Sequence, residues 1–134
     1  MKTKLLIAVL SFLLAGSGCD KSTTELEKAT FHVKIIDEIC GNAVVQIQDS
    51  ALYQYGANGY VKADSTYDHV FTTRFSCADM EKMQTFTADK SGLVIKVKLV
   101  KEAPQEPGCV RCAATLANPP AIFHLVAFTP DWSY

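Results

Sequence analysis

Three stretches of this chain alternate apolar and polar residues with the two-residue period of a β-strand. In Phe31–Asp37, Phe31, Val33 and Ile35 fall on one face, with His32 and Lys34 on the other. Ala43–Asp49 sets Val45 and Ile47 against Gln46 and Gln48. Leu93–Lys101 is the cleanest, with Leu93, Ile95, Val97 and Leu99 facing one way and Lys96 and Lys98 the other. Two more segments predict strands by composition. His69–Phe75 is rich in β-branched and aromatic residues, and Ala121–Phe128 is apolar on both faces, which predicts burial on both. Gly41-Asn42 between the first two strands is a turn signal and predicts a hairpin.

One segment reads as helix. In Ser76–Gln84, Ser76 offers an N-cap, Asp79 and Glu81 occupy the first turns and Lys82 lies late. Two regions, Ser50–Asp68 and the proline-rich Glu102–Pro120, predict no regular structure. Strand, strand, strand, short helix, strand, long loop, strand is an order that resembles the OB-fold, a small, partly open Greek-key barrel. The resemblance covers residues 29–129 and implies a mainly β, five-stranded OB-like barrel with one short helix between strands 3 and 4. A β-sandwich is the alternative, but it wants about seven strands and no helix in mid-chain. Phe31, Val33, Ile35, Val45, Ile47, Val70, Leu93, Ile95, Val97, Leu99, Ile122 and Val126 are expected to form one core.

The amino terminus is built differently. Lys2 and Lys4 precede a ten-residue apolar run, Leu5–Leu14, and small residues then lead to Cys19. That run is too short to span a bilayer, which takes about 20 residues, and it has the make-up of a secretory signal peptide. The exit at Cys19 resembles a relaxed lipobox of bacterial lipoproteins, with Gly16 at the place usually held by leucine. The resemblance implies a signal peptide over 1–18 and acylation of Cys19. A polar lipidated tether over 19–29 and a single β-domain over 30–134 are expected to follow. Removing 1–18 takes two lysines and no acid, moving the formal net charge from −1 to −3 over 116 residues. With no basic run, nucleic acid is a poor partner.

Cysteine parity fits an exported protein. Of five cysteines, assigning Cys19 to lipid leaves Cys40, Cys77, Cys109 and Cys112, an even set suited to disulfides. In an OB-like barrel the loop holding Cys40, the start of the helix at Cys77 and the loop holding Cys109 and Cys112 gather at one side. Loop closure favours the long bridges. A bond within Cys109–Cys112 is worth about 2 kcal/mol, and one from Cys40 to Cys109 about 4.4 kcal/mol. Cys40 and Cys77 are each expected to pair with one cysteine of the CVRC segment. Cys40–Cys77 with Cys109–Cys112 is the other pairing.

Other chemistry is sparse. A thioredoxin-like site at Cys109 and Cys112 would need a long helix after the first cysteine, and Asn118-Pro119-Pro120 stops any helix early. Structural zinc draws on two tight pairs, and only one is present. Met80, Met83, His69 and His124 contain soft copper ligands but read better as core and edge residues. No catalytic residue, cofactor site or metal site is assigned. Tyr53, Tyr55, Tyr60 and Tyr67 crowd the Ser50–Asp68 loop beside Gly56, Asn58 and Gly59, the composition of a recognition surface. The same rings would also serve as packing over a small core.

These readings describe a non-catalytic lipoprotein of the cell envelope. It would be a membrane-anchored, disulfide-stapled β-domain that binds a protein, glycan or small ligand, with Tyr53, Tyr55, Tyr60 and Tyr67 as candidate contacts. An anchored thiol–disulfide oxidoreductase using Cys109 and Cys112 is the alternative. A structural or inhibitory periplasmic lipoprotein, comparable to small inhibitors of cell-wall hydrolases, is a third reading.

Overall fold

The computed structural model describes residues 24–129, so the signal peptide expected over 1–18 and the acylation expected at Cys19 lie outside the described residues. In chain order the elements are α1 (Thr24–Lys28), β1 (Thr30–Ile39), β2 (Asn42–Ile47), a 3-10 helix (Ser50–Tyr55), β3 (Tyr60–Lys62), β4 (Ser65–Tyr67), β5 (Val70–Arg74), α2 (Cys77–Gln84), β6 (Val94–Leu99) and β7 (Val126–Phe128). Five strands form one curled antiparallel sheet in the order β5-β2-β1-β6-β7. The outer strand β5 and the segment just before β7 meet at a parallel bridge, where Thr72 N–H donates to Ile122 O at 2.8 Å and His124 N–H to Thr72 O at 3.1 Å. The domain is mainly β and barrel-like, with the helix between its third and fourth sheet strands.

The alternation in the sequence explains the sheet. Phe31, Val33 and Ile35 of β1, Ala43, Val45 and Ile47 of β2, and Ile95 and Val97 of β6 are all fully buried inside the curl. Each such valine, isoleucine or phenylalanine side chain contributes about 1.5–3 kcal/mol of burial. The hairpin turn lies one residue earlier than expected, at Cys40-Gly41. Both have positive φ, 56° and 84°, as a tight two-residue turn requires. Ser76 caps α2, its Oγ accepting from Asp79 N–H at 3.0 Å, and Met83 from the same helix plugs the core.

Five expectations need correction. Val70 is buried, but outside the barrel; Phe71, Thr73 and Phe75 are the inward residues of that strand. Both faces of β5 are covered, so apolar character alone could not choose the register. The last strand is short, and Phe123, expected to be buried, is 54 % exposed where the chain meets β5 through a parallel bridge at Thr72 instead of a full ladder. Leu93, Leu99 and Ile122 pack against the core but are only partly buried. Ser50–Asp68 is not irregular: it holds the 3-10 helix and the β3–β4 hairpin. Leu26, within the segment read as tether, is fully buried in the core from α1.

Candidate functional site

One end of the barrel gathers three segments distant in sequence. They are the β1–β2 turn, the start of α2 and the loop between β6 and β7. Two disulfides tie them together, Cys40–Cys112 with Cα atoms 5.4 Å apart and Cys77–Cys109 with Cα atoms 6.1 Å apart. Cys40 and Cys77 thus each pair with one cysteine of the CVRC segment, and Cys109 and Cys112 are not bonded to each other. The bridges span 72 and 32 positions, worth about 4.4 and 3.7 kcal/mol taken singly by loop closure. Because the loops are nested, the second bridge to form adds less.

Polar contacts reinforce the sulfur bridges. Glu106 accepts from Cys77 N–H at 2.9 Å and Ala78 N–H at 3.2 Å, so its carboxylate occupies the first amides of α2. Those amide bonds, Cys77's foremost, hold the Glu106 carboxyl below its ordinary value against the opposing effect of desolvation, with Arg111 adding to the shift. Arg111 donates to Phe75 O at 2.8 Å and lies 3.5 Å from Glu106. Sequence reading singled out neither residue. Only the Glu106-Pro107-Gly108-Cys109 turn carried a local signal, with proline and glycine where a type II turn wants them. It is formed, with Cys109 N–H donating to Glu106 O at 3.1 Å and Gly108 at φ 84°.

Past the Thr72 bridge the two outer strands bound a cleft of about 410 Å³ rather than a continued ladder. Phe75, Val100, Leu125 and Val126 give it apolar walls, and Arg74, Asp79, Glu102, Glu106 and Arg111 bring charge. Most of that charge is engaged. Glu106 and Arg111 serve the α2 start, while buried Asp79 accepts from Phe128 N–H at 3.3 Å with Lys82 3.8 Å away. Arg74 and Glu102 make no ion pair among the described residues. The cleft can hold a small amphipathic group, and the Ser76 hydroxyl on its wall is engaged in capping α2. Cys77, Glu106 and Cys109 have metal-ligand proximity, yet both sulfurs are spent in a disulfide.

The tyrosines lie elsewhere. Tyr55 and Tyr60 are each 8 % exposed, Tyr55 in the main core and Tyr60 in a second cluster with Ile36, Val44 and Val70. Tyr67 and Leu116 pack against that cluster, and Tyr53 stacks on His69 at 3.9 Å. Burial raises the Tyr60 phenol, helped by Asp37, whose carboxylate accepts its hydroxyl at 3.4 Å. The second cluster sits on the outer face of β1, β2 and β5. OB folds use the outer face of their second and third strands for oligonucleotides and oligosaccharides. Here the chain's own β3–β4 hairpin covers it. His124 bonds Tyr55 O at 3.0 Å, and Met83 is fully buried, so neither is presented as a metal ligand.

Comparison with known protein families, with characterised proteins and with solved structures gives no match.

Proposed function

We propose that this chain is an exported lipoprotein whose mature part is a non-catalytic binding domain, held at a cell-envelope membrane by acyl chains on Cys19. The observation that carries this reading is the double staple at one end of the barrel. Four cysteines from three separate segments are consumed in two long-range disulfides, an arrangement suited to an oxidising compartment. The leader ending at Cys19 is the matching address. The mature domain spends its polar groups on holding loops in place rather than on activating a nucleophile, which favours binding over catalysis. The oxidoreductase reading needs Cys109 and Cys112 to cycle as one bond, whereas each is committed to a different partner. A protein partner suits the surface better than a glycan, since the outer face that would cradle a sugar chain is filled by Tyr60, Tyr67 and Leu116.

Intact mass of the natively exported protein, before and after reduction and alkylation, tests the reading. The expected result is an amino-terminal acylated Cys19 with four cysteines that label only after reduction. Non-reduced peptide mapping should recover Cys40 with Cys112 and Cys77 with Cys109. A soluble protein with an unmodified Cys19 would sink it.

A further inference from the structure

The segment from Glu106 to Cys112 is exposed backbone held at several points. It starts in the type II turn through Pro107 and Gly108, closed by the 3.1 Å bond from Cys109 N–H to Glu106 O. Cys109 is then bonded to Cys77 and Cys112 to Cys40, so both sides of the intervening dipeptide are welded to the barrel end. Of that dipeptide, Arg111 turns inward, its guanidinium on Phe75 O and beside Glu106. Val110 turns outward and is 93 % exposed, far more than any other large apolar residue described. A single exposed apolar side chain is ordinary on a protein surface. Val61, at 63 %, is such a case on the small β3–β4 hairpin. Val110 differs because turn, disulfide, anchored arginine and second disulfide hold its backbone from both directions.

We infer that Val110 is the anchor of a peptidase-binding loop, presented to a serine endopeptidase whose primary specificity pocket is small and apolar. Such a pocket accepts one protruding side chain from a stretch of substrate backbone. A backbone already fixed by its scaffold loses little freedom on docking, so binding energy is not spent on ordering it. Valine fills a small apolar pocket, and the flanking bonds keep the segment ends together if the peptide bond after Val110 is attacked. The outward side chain can be exchanged without disturbing the fold, because nothing packs on it. This inference rests on the binding-domain reading above and names the surface and partner class.

The probe is pancreatic elastase, with trypsin as the contrasting enzyme, titrated with the mature, fully disulfide-bonded chain. The wild-type chain should inhibit elastase and leave trypsin active. Val110→Arg should weaken elastase inhibition by about 30-fold or more, the scale of a lost anchor residue, and should gain inhibition of trypsin. Unfolding midpoints of the two chains should agree, which separates loss of the anchor from loss of fold. The inference is overturned if the folded wild-type chain leaves elastase uninhibited, or if it is cut after Val110 as fast as a linear peptide. It is equally overturned if Val110→Arg inhibits elastase as well as the wild type does. None of these failures touches acylation or thiol count, so the binding-loop and anchored-lipoprotein readings fail separately.

Discussion

Arg111 lies against Gly41, so close that a Cβ built on Gly41 would collide with its guanidinium. The same guanidinium donates to Phe75 O at 2.8 Å, and Phe75 N–H donates to Gly41 O at 2.8 Å. The β1–β2 turn, the end of β5 and the CVRC segment therefore share one junction, with Cys40 beside it bridged to Cys112. Gly41 is needed there twice over, for its φ of 84° and for the missing side chain.

Gly41→Ala should thus destabilise the domain by about 1–3 kcal/mol in denaturant unfolding. Part of that cost belongs to displacing Arg111. In an Arg111→Ala background the same change should cost less, and the difference measures the coupling. Strict additivity of the two changes would show that Arg111 does not press on the turn.

Glu106 predicts a pH dependence. Its carboxyl is held below the ordinary glutamate value by the amides of Cys77 and Ala78 and by Arg111. A folded-state value below the unfolded one means the stabilisation is complete above the unfolded value and lost as pH falls through the folded one. Unfolding midpoints of the wild type should therefore fall as the solution is acidified below the ordinary glutamate range. Glu106→Gln should flatten that slope, and parallel slopes would refute the assignment.

The tyrosine segment should behave as packing. Tyr60 is 8 % exposed over Val44 and Val70, so Tyr60→Ala should cost about 3–5 kcal/mol. Tyr60→Phe loses only the contact to Asp37 and should cost about 0.5–1.5 kcal/mol. Val61→Ala, next in sequence and 63 % exposed, should stay within about 0.5 kcal/mol. A stable Tyr60→Ala protein would return this ring to the candidate contacts.

Leu26 tests whether α1 belongs to the domain. It is fully buried, so Leu26→Ala should cost about 2–5 kcal/mol, like Ile95→Ala in the middle of β6. Leu93→Ala, at a half-buried position, should cost less than either. Chemical unfolding of the three variants ranks them directly.

What the sequence determined by itself is what local chemistry encodes. The period of Phe31–Ile35 and Leu93–Leu99 places two strands and their inward faces, since a strand with one dry face must alternate. Ser76 and Asp79 mark the start of α2 because a cap bond reaches only three residues. Cysteine parity and loop closure pointed to bridges from Cys40 and Cys77 into the CVRC segment. Only the tertiary structure decided which cysteine takes which partner, and that Val70 faces outward beneath Tyr60 while Phe71 faces in. It also decided that Leu26 enters the core from a polar stretch, that Glu106 sits on the amides of α2, and that Val110 stands free while Arg111 folds in. Each of these depends on how far the sheet curls and which distant segments that curl brings together. Side chains that settle such meetings are spaced by tens of residues, so no local period records them.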